Sequence, residues 1–228
     1  MIDAIRDRSV VSGVTTREIS DDKHALAKAL DIDAAHMVMM TQVHGSVIHV
    51  IDRAWNPSTP SLVGDGLITR RNDVLLRVRI ADCAGVLFWD PITAIVAAVH
   101  SGWRGTKENI AGACVEQLVA LGCVPSDIRV YISPCASGER YNVREDVAAH
   151  FPQHIRRSAS AADTWLFNNK AAISDQVLNS GVSQTHLCVD PSCTISDERF
   201  HSYRRDGQAA GRNAAFIGLR SFEPLVPQ

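Results

Sequence analysis

Two histidines and one cysteine in this chain stand where apolar, strand-like runs end. His44 lies in Gln42-Val43-His44-Gly45, at the close of the run 37–43. Cys83 lies in Ala81-Asp82-Cys83, just after the run 74–80, and His100 opens His100-Ser101-Gly102-Trp103-Arg104-Gly105 after 94–99. Two imidazoles and a thiolate suit a tetrahedral zinc ion and leave its fourth position open for water or substrate. The same thiol, lowered in pKa by neighbouring histidines, is also a nucleophile. The three residues are far apart in sequence, so the argument rests on their equivalent strand-end positions and not on a ligand spacing. Against it stand plainer roles: a histidine hydrogen-bonded at a strand end, and a cysteine serving as a small buried hydrophobe.

The neighbours of these residues widen the chemistry. In Gly102-Trp103-Arg104-Gly105 the glycines permit close backbone approach, Trp103 offers a stacking face, and Arg104 can fork onto phosphate or carboxylate. A helix starting just after this segment would add its free N–H groups as an anion site. A tight turn with a surface arginine is the structural alternative. Asp82, beside the thiol, is a candidate proton carrier or partner of a ligating histidine, or simply a turn-capping carboxylate. Arg17 in Thr15-Thr16-Arg17 and Arg204 in Tyr203-Arg204-Arg205-Asp206 are candidate anion binders from the two ends of the chain.

The elements that must position these residues follow from hydrophobic periodicity. Strands are expected over 37–43, 47–51, 67–69, 74–80, 84–89 and 94–99, the last two forming a hairpin about Asp90-Pro91. A helix is expected over 106–121, capped by Thr106, with Ile110, Cys114, Leu118 and Leu121 on one face and Gly122 at its end. That stripe makes Cys114 a core residue. Further helices are expected over 144–151 and 170–178, and at Lys23–Leu30. Strands are expected over 128–132, 185–189 and 214–219, and a surface loop over the Pro/Ser-rich 56–61. Grouped strands with a few covering helices define an α+β fold.

Composition narrows the class. The 228 residues are 46% hydrophobic with a net charge of −2, which provides a full core and no basic field for nucleic acid or anionic membrane. No run of about eighteen apolar residues exists to span a membrane. The charged start, from Met1 to Arg8, lacks a secretory signal's apolar stretch, so a cytoplasmic protein is expected. Six cysteines without a CxxC pair, in a chain this large, read as reduced thiols, with Cys123 and Cys188 structural.

Taken in order, the motifs acquire a specific meaning. Thr15-Thr16-Arg17, Gln42-Val43-His44-Gly45, Gly64-Asp65-Gly66-Leu67-Ile68-Thr69, Ala81-Asp82-Cys83 and His100 to Gly105 are followed by Ser133-Pro134-Cys135, Cys193-Thr194, Ser202 to Asp206 and Gly211-Arg212. This series resembles the laccase-domain family, also called multicopper polyphenol oxidase-like or YfiH-type proteins. The likeness runs from about residue 11 to the end, so residues 1–228 are read as one domain. It implies a layered α/β/β/α-type sandwich with mixed sheets, and zinc on His44, Cys83 and His100, with copper ranking behind zinc.

The resemblance also implies enzymes acting on purine nucleosides: phosphorolysis of adenosine, inosine or methylthioadenosine, together with adenosine deamination. Small-molecule nucleoside and phosphate are then the partners. Catalysis would fall to Cys83, His44 and Asp82, and substrate binding to Arg17, Trp103, Arg104 and Arg204. Some family members are instead cytoplasmic amidases that edit UDP-linked peptidoglycan precursors, and a non-catalytic zinc or nucleotide-binding module is a third reading. The chain departs from the family pattern after Arg17, where a glycine-rich stretch and insertion are replaced by Glu18-Ile19-Ser20-Asp21-Asp22. It also has Ala84-Gly85 in place of the proline after Asp-Cys, and Tyr141-Asn142-Val143 for Tyr-Glu-Val. Counting speaks against multicopper chemistry: four coppers need about ten histidines, mostly in His-x-His pairs. This chain has 9 histidines and no such pair.

Overall fold

The most apolar runs become strands with both faces covered. In the computed structural model, which describes residues 1–5, 7–58, 61–159 and 162–220, every residue of Ala84–Asp90 and Ile95–Ser101 is buried. The two form the expected antiparallel hairpin, and the Asp90 carboxylate accepts the N–H groups of Ile92 (2.8 Å) and Thr93 (3.3 Å) at its turn. Because side chains alternate along a strand, this pair feeds two cores at once. Val86, Phe88, Ile95, Ala97 and Val99 face the helices Ile110–Ala120 and Asn169–Asn179. Leu87, Trp89, Val96 and Ala98 face a second sheet through Leu76, Val78, Ile80, Ala215 and Ile217.

That hairpin centres a six-stranded mixed sheet, ordered Leu187–Val189, Arg129–Ile132, Ala84–Asp90, Ile95–Ser101, Gly66–Thr69, Ile48–Ile51. The opposing five-stranded sheet runs Ile2–Asp3, Val10–Val14, Asn213–Leu219, Leu75–Ile80, Met37–Val38. Helix Lys23–Leu30 covers its outer face, packing Leu26 and Ala27 on Leu75, Ala214 and Phe216. The layers are therefore helix, sheet, sheet, helix, as the resemblance implies.

One connection matters most for the site. Leu75–Ile80 belongs to the five-stranded sheet and Ala84–Asp90 to the six-stranded one, so residues 81–83 carry the chain from sheet to sheet. Asp82 makes the crossing with φ 82°, a left-handed conformation that non-glycine residues seldom take. Just beyond it the sheets nearly touch. A Cβ on Gly85 would lie 2.5 Å from that of Ala215, which excludes any larger residue there.

Several elements differ from their expected form. The run 37–43 splits into Met37–Val38 and Met40–Thr41, which pair with different neighbours. The helix expected over 106–121 is two helices, Trp103–Lys107 and Ile110–Ala120, broken at Asn109 with φ 58°. Thr106 is thus no cap. It lies inside the first helix, its hydroxyl bonded to Ser101, Asn169 and the Gly102 carbonyl. The helix over 144–151 shortens to Glu145–Ala148. Periodicity did not reveal Val10–Val14, nor the small sheet of Asn142–Val143, Trp165–Phe167 and Ile155–Arg157. In the loop 56–61, Thr59 and Pro60 lie outside the described residues.

Cysteines divide as expected with one exception. All six are free thiols, and Cys114 and Cys123 are core residues. Cys188 is instead exposed on the edge strand Leu187–Val189.

Candidate functional site

The three residues singled out at strand ends meet in space. The ligand atoms of His44, Cys83 and His100 all lie within 4.8 Å of one another. They are graded from floor to mouth: His100 is buried, Cys83 half-buried and His44 exposed. The His44 and His100 rings meet edge to face at 4.8 Å. A space for the thiol exists because residue 102 has no side chain: a Cβ there would stand 2.8 Å from Cys83 Sγ and 3.3 Å from His44 Cδ2.

A metal fits this donor set. Two imidazole nitrogens and one thiolate match the three protein ligands of an open site, and atoms within 4.8 Å of one another are near enough to converge on one ion. The electrostatics favour the charged thiol as well. Burial pushes the Cys83 thiol up, but His100 and His44 beside it more than reverse that and hold it down at about 6. Burial likewise opposes charge on His100, and the neighbouring Cys83 and Asp65 raise it to about 9.

Asp65 is the residue that sequence reasoning missed. It is fully buried, and its carboxylate accepts from His100 Nδ1 (2.8 Å) and from the backbone N–H groups of Val43, His44 and Gly45 (3.2, 3.0 and 2.8 Å). Burial resists ionisation, yet the bonds from His100, Gly45 and Val43 keep this carboxyl below the usual carboxylate range. The available signal was an acid between two glycines at the start of a strand, in Gly64-Asp65-Gly66.

The other expected site residues are placed unequally. Asp82 adjoins the thiol, but its oxygens are engaged by the Thr194 hydroxyl (2.6 Å) and the Arg204 N–H (2.6 Å). Its carboxylate thereby ties the crossing segment to the helix Tyr203–Asp206. Arg204 is exposed, with its guanidinium 5.3 Å from the Tyr141 ring centre. Tyr141, also unassigned from sequence, lies near enough that burial and then the Cys83 charge push its hydroxyl well above the ordinary range. Trp103 is half-buried, stacked on His150 at 6.4 Å and covered by the Arg104 guanidinium at 4.5 Å. Arg17 reaches the same helix as Arg204 but is spent on Asp206 and the Phe200 carbonyl. A cleft of about 960 Å³ opens elsewhere, beside Cys193 and Lys170, and its lining does not include the His44–Cys83–His100 cluster.

The chain is thus a helix–sheet–sheet–helix sandwich with a His₂Cys cluster at its sheet crossing, a donor set that could hold a metal ion. It belongs to the family described as multi-copper polyphenol oxidoreductase laccase, whose sequence model matches residues 9–220. It is 34% identical over 211 residues to a purine nucleoside phosphorylase of Deinococcus radiodurans, covering 89% of this chain and 78% of that one. It is 32% identical over 203 residues to a purine nucleoside phosphorylase of Streptomyces griseus, covering 88% and 81%. Among solved structures, YlmD from Geobacillus stearothermophilus superposes with a TM-score of 0.83 at 29% identity, covering 94% and 93%. The YfiH protein of Bacillus licheniformis does so at 0.84 and 25%, covering 92% and 93%. No helix among the described residues is long and apolar enough to cross a membrane.

Proposed function

We propose that this protein is a zinc-dependent purine nucleoside phosphorylase, with adenosine deamination as a second activity of the same site. The observation that carries the reading is the His44–Cys83–His100 cluster opening to solvent beside two arginine–aromatic pairs. The names of its relatives in Deinococcus and Streptomyces support the same substrate class. Zinc, when bound, supplies a Lewis acid that polarises substrate or water.

The chain's own residues supply the rest. In phosphorolysis a phosphate oxygen forms a bond to the sugar's anomeric carbon, the bond to the purine nitrogen breaks, and the purine leaves with one proton. Arg204 and Arg104, both exposed, bind the phosphate through charge-assisted hydrogen bonds. Tyr141 carries Arg204 on its ring face, and the backbone bond to Asp82 fixes where that arginine begins. With both carboxylate oxygens already engaged, Asp82 serves here in positioning more than in proton transfer. Trp103 meets the base at its edge, since Arg104 and His150 already contact its ring.

One arrangement favours a second reading. Cys83, His100 and Asp65 stand in the order nucleophile, base and orienting carboxylate, as a cysteine hydrolase requires. An amidase acting on UDP-linked muropeptides would use them so, and a thiolate bound to zinc cannot also attack. Metal analysis followed by product analysis with adenosine separates the two. The proposal expects about one zinc per chain, adenine plus ribose 1-phosphate only when phosphate is present, and loss of both metal and turnover in Cys83→Ala. Metal-loaded protein that leaves adenosine, inosine and methylthioadenosine intact with phosphate present sinks it. Turnover of muropeptide by metal-free protein would establish the amidase.

A further inference from the structure

We propose that Asp65 is the positioning residue of this site, one carboxylate that sets the tautomer of His100 and the backbone of His44 together. The inference rests on the reading of His44, Cys83 and His100 as a zinc site. It says that ligand geometry is dictated from a residue that touches neither metal nor substrate.

The donor count carries the argument. Oδ1 accepts from His100 Nδ1 and the His44 N–H, while Oδ2 accepts from the Val43 and Gly45 N–H groups. Three backbone N–H groups can only donate to these oxygens, so the carboxylate stands as acceptor throughout and the shared hydrogen belongs to His100 Nδ1. That assignment leaves His100 Nε2 as the nitrogen free to ligate, the arrangement in which a carboxylate outside the ligand set steers a metal-bound histidine. His44 receives the other half of the control. It sits at φ 61°, a left-handed conformation that strains a non-glycine residue. Three successive N–H groups pointing at one buried carboxylate hold that conformation against the strain.

The main chain of Asp65 completes the junction. Its carbonyl accepts the His100 N–H (2.7 Å) and its own N–H donates to Val47 (2.9 Å). One residue therefore joins the loop that carries His44 to the strand end that carries His100. No other carboxylate among the described residues bonds both segments. Asparagine at this position would keep the shape but turn an NH₂ toward donors on one side, either His100 and His44 or Val43 and Gly45. A group that only braced the loop would leave metal affinity and the His100 tautomer alone.

The full chain, with zinc as the probe, tests this without any substrate. Competition against a chromophoric chelator should show Asp65→Asn binding zinc about 10- to 100-fold more weakly than wild type. Nitrogen-15 histidine spectra of zinc-loaded wild type should show His100 protonated at Nδ1 and metal-bound at Nε2. The wild-type spectrum decides the matter even where Asp65→Asn fails to fold. Ligation through Nδ1, or zinc affinity in Asp65→Asn within twofold of wild type, overturns the proposal. A wild-type chain that takes up no zinc overturns both this proposal and the metal reading beneath it. Absence of nucleoside turnover, by contrast, leaves these readouts standing and counts only against the substrate.

Discussion

Cys83 and Cys114 bracket the same sheet and live in opposite worlds. Cys114, on helix Ile110–Ala120, is fully buried among aliphatic side chains, and that burial pushes its thiol far above the ordinary range. Cys83, at the sheet crossing, also suffers desolvation, yet His100 and His44 bring its thiol down to about 6. Burial alone makes a thiol inert, and burial beside cations makes it reactive. What separates the regions is the company each element brings, since the residue type is identical. The helix delivers only apolar neighbours at its buried face. The crossing gathers residues from three distant segments.

The strongest test replaces each thiol. Cys83→Ala should lose its metal and at least about 100-fold in kcat/KM toward adenosine, the scale of losing a catalytic group. Cys114→Ala should keep activity within twofold and lose about 1–2 kcal/mol of stability, read as a lower denaturant midpoint. Comparable activity losses from both would collapse the contrast.

A smaller effect sharpens the contrast at the backbone. The Cβ in Gly102→Ala must displace Cys83 Sγ or the helix start, and zinc affinity should drop about tenfold, the lower bound for a disturbed ligand shell. Gly45→Ala meets nothing closer than 3.8 Å and keeps its N–H, so chelator competition should show affinity near wild type. Equal losses in the two variants would mean that the cradle at residue 102 is not special.

Reactivity gives a third comparison. Alkylation followed by peptide mapping should find Cys83 modified in metal-free protein and protected by zinc, with Cys114 and Cys135 untouched because both are buried. Cys193 provides the pH dependence. Burial pushes its thiol up, but hydrogen bonds from Ser137 and Ser196 bring it down to about 7. A lowered thiol is increasingly ionised as pH rises, so Cys193 alkylation should climb with pH through about 7 and fall off below it. A midpoint near the ordinary thiol value would contradict those bonds.

The smallest expected change concerns the tether behind the thiol. Thr194→Val removes one of the two partners of Asp82 and should cost about 1 kcal/mol of stability, with a modest rise in KM and little change in kcat. A large fall in kcat would return Asp82 to the chemistry itself.

Much of the frame was legible from residue order. The apolar runs 84–89 and 94–99 predicted their hairpin through the Asp90-Pro91 turn between them, and continuous apolar runs suit strands covered on both faces. The helix over 106–121 was legible as helix but not as two, because the break at Asn109 lies in a left-handed backbone choice that periodicity does not register. The small sheet around Trp165 was hidden for a related reason: its strands are only two or three residues long and take their stability from packing on Val147 and Phe151.

The candidate site divides along the same line. Residue type and strand-end position were enough to nominate His44, Cys83 and His100, since donor chemistry belongs to the side chain itself. Arg17 and Trp103 show the limit of that reasoning, because a sequence displays an arginine or an indole without showing what already occupies it. Asp65 shows the converse. An acid between two glycines has no visible work until folding buries it and aims four donors at its two oxygens. Side-chain chemistry and hydrophobic order were thus determined by the sequence alone. Which groups face one another, and which are already satisfied, was decided only when two sheets closed over the crossing at residues 81–83, because desolvation and hydrogen-bond geometry arise from neighbours distant along the chain.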